Sequence, residues 1–180
     1  MKYVVVPEGL SIDSTNKPIP SFVYRQVIEY LVPILENNDE IYFAPANSFG
    51  LGISEQIAGK KYFKKIYNKK NNIKVFTQEL ALKEYVDTYG NAILLKKQFP
   101  QLALEQIDLV STYIHSRRAY HCFYSVGFKI NNFHSVKYKI IDEKIVSRLW
   151  YYQYPKIHKI YEMLALLRDL LTKRFRLNSV

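Results

Sequence analysis

One cysteine, Cys122, is all the thiol chemistry the 180-residue chain has. That excludes an intrachain disulfide, and with no metal-ligand spacing around it, a cysteine metal cluster. A reducing compartment is the simplest expectation. Glycine is scarce too, at six residues, and the phosphate-cradling patterns built on it are missing. There is no Walker run, no G-x-S-x-G elbow and no full G-x-G-x-x-G, only the fragment Gly50-Leu51-Gly52. No apolar run is long enough to span a bilayer: the stretch from Tyr3 to Val6 is broken at once by Pro7. No charged leader with a small-residue cleavage site precedes it, so a cytoplasmic location is expected. Internal repeats, low-complexity tracts and linkers are absent, and His121, His134 and His158 are not spaced with carboxylates as a metal site requires.

What the chain has in quantity is apolar and aromatic residues, 48% hydrophobic overall with 16 Tyr and 10 Phe. This is globular composition, enough for one well-buried core and short for two, so one domain over 1–180 is expected. The formal charge is +10, and it is uneven. Lys60, Lys61, Lys64, Lys65, Lys69 and Lys70 form one cluster; Arg168, Lys173, Arg174 and Arg176 form another. Such clusters favour polyanions or an acidic membrane surface. A lysine-rich helix face is also ordinary solvated surface.

Hydrophobic periodicity switches regularly between strand and helix. Residues 2–6, 41–44, 73–76 and 107–110 read as short buried strands, with a weaker strand at 135–141. Ser21 is placed to cap a helix carrying Phe22, Val23, Val27, Ile28 and Leu31, which Pro33 should end or bend. Ser54-Glu55 opens a second helix, Asp87 or Thr88 caps a third, and a fourth runs from about Tyr113 to Gly127. The last segment, 157–175, carries Ile157, Ile160, Tyr161, Leu164, Leu167, Leu170 and Leu171 on one face and reads as a long closing helix. Strand and helix in alternation predict an α/β fold: a three-layer Rossmann-like sandwich with a mainly parallel sheet and helices on both faces.

In such sheets ligands bind past the carboxyl ends of the strands. The residues there include Glu8, Gly9, Asn47, Glu79, Ser111 and Thr112. Thr112 reads as a helix N-cap, which places His115 in the first turn. The helix-end potential then favours its neutral form, able to relay a proton. Arg118, one turn on, could pair with a phosphate or carboxylate; the alternative is a salt bridge to Glu79 or Glu84. Asn91 could hold a ligand or only close the loop on Thr88, itself read as a cap. Glu55, with Glu79 and Glu8, is placed for acid–base work or to read a ribose diol. Cys122 lies on an apolar helix face, where core packing is the expected role.

The run Thr88-Tyr89-Gly90-Asn91-Ala92 and the block Val110-Ser111-Thr112-Tyr113-Ile114-His115-Ser116-Arg117-Arg118-Ala119, with Phe123 and Gly127 after them, resemble the signature blocks of the YdcF/SanA/ElyC family. More weakly, residues 4–10, Arg25 and Ser54-Glu55 resemble that family's first strand and turn, first helix and second helix start. The chain departs from the pattern at Pro7-Glu8-Gly9 and at Ala44-Pro45-Ala46-Asn47, where the family's glycine-rich turns are reduced. The resemblance implies a Rossmann-like fold. One bacterial member is similar to a protein that binds S-adenosylmethionine, and membrane-anchored relatives are tied to the cell envelope.

The expected function is binding of an anionic small molecule, nucleotide-like or S-adenosylmethionine-like. His115, Arg118 and Glu55 would be the acting groups; if the chain is an enzyme, it is a transferase or hydrolase working at a phosphate or carboxylate. Glu8, Gly9, Asn47, Glu79, Thr88, Asn91, Ser111 and Thr112 would line the pocket, and no metal is expected. The alternatives are a non-enzymatic binder of acidic surfaces, RNA or anionic lipid, and an interaction module with a degenerate pocket. The aromatic run Trp150-Tyr151-Tyr152-Gln153-Tyr154 fits core, lid or interface.

Overall fold

The structure, a computed structural model, describes residues 1–68, 72–77 and 85–172. Its centre is a five-stranded, wholly parallel sheet of β1 (Lys2–Val5), β4 (Glu40–Phe43), β5 (Lys74–Phe76), β6 (Gln106–Thr112) and β7 (Lys129–Val136). The strand order is β5-β4-β1-β6-β7, with β1 in the middle, and a small antiparallel pair, β2 (Leu10–Ile12) and β3 (Pro18–Pro20), stands apart. The helices are α1 (Phe22–Ile34), α2 (Glu55–Ile66), α3 (Thr88–Gln98), α4 (Ser116–Val126) and α5 (Pro155–Leu171).

Alternation along the strands divides the core into two layers. On one face Tyr3, Val5, Ile41, Phe43 and Val110 pack against Tyr24, Val27, Ile28 and Leu31 of α1 and Phe63 of α2. On the other, Val4, Tyr42, Ile107 and Leu109 meet Ala92 and Leu95 of α3 and Ala119, Cys122 and Phe123 of α4. Each large side chain fully withdrawn here contributes about 1.5–3 kcal/mol. This is the three-layer Rossmann-like sandwich expected from the period switching. Ser21 caps α1, accepting from the Tyr24 amide at 3.1 Å, and Pro33 lies inside the helix one residue before its end. Cys122 is fully buried, and burial pushes its thiol up to about 12.

Several expectations are corrected. β6 continues through Ser111 and Thr112 because Glu8 and β7 satisfy them, so α4 starts only at Ser116 with His115 as its N-cap residue. The fifth strand is Lys129–Val136, not 135–141; it lies at the sheet edge, and its many polar residues hide it from a search for apolar runs. The aromatic run is split: Tyr151 and Tyr152 are buried within a 3-10 helix, Ser147–Gln153, while Trp150 and Tyr154 are exposed.

The closing helix, α5, is present, with its apolar face outward. It buries His158, Glu162, Ala165 and Asp169 and leaves Ile157, Ile160, Tyr161, Leu164, Leu167, Leu170 and Leu171 exposed. Both sheet faces are already covered by α1–α4, and the buried acids of α5 meet the Arg118 guanidinium.

The turn after β1 depends on one glycine. Gly9 sits at φ +91°, and a Cβ there would stand 2.4 Å from Leu149 Cδ1 of the 3-10 helix. Gly9→Ala is therefore expected to destabilise the fold by about 1–3 kcal/mol, read by chemical denaturation. A wild-type midpoint for that variant would show that the 3-10 helix does not rest on this turn.

Candidate functional site

The site is assembled where β1, β4 and β6 end, under a roof made by the 3-10 helix and α5. Its deepest group is Glu8, wholly buried just after the central strand. A buried carboxylate must be met by donors. Glu8 Oε1 accepts from the Ser111 hydroxyl at 2.7 Å, the Thr112 amide at 2.9 Å and His115 Nδ1 at 3.2 Å, and Oε2 accepts from the Tyr152 hydroxyl at 3.3 Å. Burial alone would raise the Glu8 pKa; the His115 charge and these hydrogen bonds outweigh it and hold the group below the usual carboxylate range.

His115 is placed by that carboxylate and by its position at the head of α4. Its other ring nitrogen, Nε2, lies 2.9 Å from Thr88 Oγ1 at the first residue of α3 and 3.9 Å from Glu162 Oε2. Burial opposes imidazolium, but the Glu162 and Glu8 carboxylates prevail and raise the pKa above its ordinary value. This corrects the expectation of a histidine neutralised by a helix terminus: two nearby full charges outweigh the partial charge of a helix end. Below its folded pKa the ring donates from both nitrogens, to Glu8 and to Thr88. Above it, the Nδ1 proton stays with Glu8 and Nε2 accepts from the Thr88 hydroxyl, the hydroxyl–imidazole–carboxylate arrangement of a proton relay.

Thr88 is not the cap of α3. Asp87 is, accepting from the Gly90 amide at 3.1 Å, and this frees the threonine hydroxyl for His115. Asn91, with its amide nitrogen donating to the Pro45 and Asp87 carbonyls at 3.1 and 3.0 Å, ties α3 to the loop after β4.

Glu55 is the second buried acid. Its oxygens accept from the Gly9 amide at 2.6 Å and the Asn47 amide at 3.0 Å, so it clamps the turns after β1 and β4 together. Burial raises its pKa to about 7 in spite of those bonds. The Asn47 side chain exchanges two bonds of 2.8 Å with the backbone of Val86. The Gly9 and Asn47 amides are thus both spent on the Glu55 carboxylate.

Arg118 is buried and pairs with α5: Nε donates to Asp169 Oδ2 at 2.9 Å, and its terminal nitrogens lie 3.6 Å from Glu162 Oε2 and 3.9 Å from Asp87 Oδ2. The expected salt-bridge partners Glu79 and Glu84 lie outside the described residues, as does Glu79 as a ligand residue. Glu162 Oε2 makes no hydrogen bond among the described residues, and its pKa is raised, with burial the leading cause. His158, also under the roof, is pushed down to about 4 by burial.

Asn47, Glu55, Thr88, Asn91, His115 and Arg118 line one cavity of about 40 Å³, closed over by Leu149, Tyr151, Tyr152, Tyr161 and Glu162. Glu8, Gly9, Ser111 and Thr112 lie beneath it and support it. The reading of the sequence missed Glu162, Asp169 and His158 as members of this site. The three stand at helical spacing, 158, 162, 165 and 169 with Ala165 between, a polar stripe overshadowed by the leucines beside it. Among the described residues no group of three or more His, Cys, Asp or Glu is arranged to hold a metal, and no helix is long and apolar enough to cross a membrane. The chain matches no family model, no curated protein and no solved structure.

Glu55 sets a pH dependence with a definite sign. A buried acid whose pKa rises from 4.5 to about 7 holds its proton better folded than unfolded, so its contribution falls as pH climbs between those values. The stability difference between wild type and Glu55→Gln should shrink by up to about 3 kcal/mol over that window. A difference independent of pH, by urea denaturation at a series of pH values, would contradict this.

Proposed function

We propose that the cavity is the reacting end of a site for an anionic small molecule, nucleotide-like or S-adenosylmethionine-like, with Thr88, His115 and Glu8 as its proton relay. The observation that carries this is the Glu162 carboxylate. It stands opposite both Arg118 and His115, buried, with an oxygen at 3.6 and 3.9 Å from their nitrogens and no hydrogen bond among the described residues. A carboxylate so placed and so poorly satisfied is a stand-in for a ligand's phosphate or carboxylate, which would complete the hydrogen bonds that Glu162 does not make.

The cavity of about 40 Å³ admits little more than water, far below the 300 Å³ and more of an ordinary ligand site. A ligand therefore enters by displacing Glu162 and the aromatic roof. With the anion held at Arg118, His115 Nε2 removes a proton from a hydroxyl or water as that oxygen attacks phosphorus or a carbonyl carbon. It then returns the proton to the departing oxygen. Glu8 keeps the Nδ1 proton and balances the imidazolium. A hydrolase or transferase acting at a phosphate or carboxylate suits these groups.

Thermal-shift screening against nucleotides, S-adenosylmethionine, sugar nucleotides and short diphosphates tests the reading, since a ligand of the folded state raises the midpoint. A ligand found this way should bind roughly 5–150-fold tighter to Glu162→Gln, by the size of a typical coupling, and lose its shift in His115→Gln. Equal affinity in wild type and both variants would overturn the site.

A further inference from the structure

The outer face of α5 is unlike the rest of the surface. Ile160, Met163, Leu164, Leu167, Leu170 and Leu171 are each at least half exposed along one side of the helix, with Ile157 and Tyr161 at its margins. Eight large apolar side chains exposed together on one helix side form the kind of contiguous patch that marks an interaction surface. The helix's own acids, Glu162 and Asp169, point the other way into the protein. The lysines at its outer margin are Lys156 and Lys159, while Arg168 turns back to pair with Asp87 and Asp169.

The cationic margin extends past the helix. Two apolar grooves, of about 300 and 370 Å³, lie either side of Tyr113 and Ile114 beside the start of α5. Arg117, Lys137, Lys156 and Lys159 stand on their rims, and none of the four forms an ion pair among the described residues. Tyr113, Trp150 and Tyr154 are each about half exposed at the same end, the amphipathic rings that settle at a membrane–water boundary.

We infer that α5 and the Tyr113–Ile114 shoulder form a docking face for an anionic lipid bilayer, with the helix lying in the interface plane. Complementarity chooses this occupant. A second copy pairing α5 against α5 would bring only like charges to the rim of its interface, whereas anionic headgroups neutralise the lysines as the leucines enter the acyl boundary. The inference is independent of the ligand site, since none of the leucines lines that cavity.

Flotation with vesicles tests it, using phosphatidylcholine alone and phosphatidylcholine mixed with phosphatidylglycerol. Wild type should float with the anionic vesicles and much less with the neutral ones, and high salt should release it. Lys156→Gln with Lys159→Gln should weaken the anionic binding roughly fivefold per lysine. Leu164→Glu with Leu167→Glu, exposed substitutions checked for an unchanged melting midpoint, should abolish binding to either vesicle. Wild type left in the lipid-free fraction with both vesicles overturns the proposal. So does a wild-type dimer by light scattering that the leucine variant dissolves, which would assign the face to a second copy.

Discussion

The fold is organised around a carboxylate that has no water. Glu8 follows the central strand in the middle of the sheet, and its oxygens are met by the end of β6, the head of α4 and the 3-10 helix. An ionised group in that position costs several kcal/mol unless fully paired, so the donors around it are constrained in place with it. This is why β6 runs two residues further than its apolar core, why His115 sits at the start of α4, and why its second nitrogen points at Thr88. The site is a consequence of satisfying one buried acid.

α5 carries the opposing demands of the two surfaces it joins. Its inner stripe supplies Glu162 and Asp169 to Arg118, and neutralising that buried guanidinium outranks hiding the leucines. A helix that closes a charged cavity with its acids must show its apolar side to the outside. The roof over the cavity and the exposed leucine face are thus two sides of a single packing choice.

The alternating periods made the sandwich legible in the sequence, because Val4, Ile41 and Leu109 are buried whichever neighbours they find. The tips of the strands were legible through topology: Thr88, Asn91, His115 and Arg118 converge as the order of elements requires. What the pattern could not carry was partner choice. The hydroxyl of Thr88 and the carboxylate of Asp87 are equally good caps locally, and only the position of His115 decides between them. The orientation of α5 was not legible for a related reason: periodicity reports a face but not what the rest of the chain has left to cover it. β7 was displaced because an edge strand with polar residues lacks the signal used to find the central ones.

The most direct measurement is the pH titration of the His115 ring nitrogens by ¹⁵N NMR, in wild type and in Glu8→Gln. The account predicts a midpoint above the ordinary 6.5 in wild type, an Nδ1 proton that persists above it, and a lower midpoint once the carboxylate is removed. A histidine that titrates at or below 6.5, or does so identically in both proteins, would contradict it.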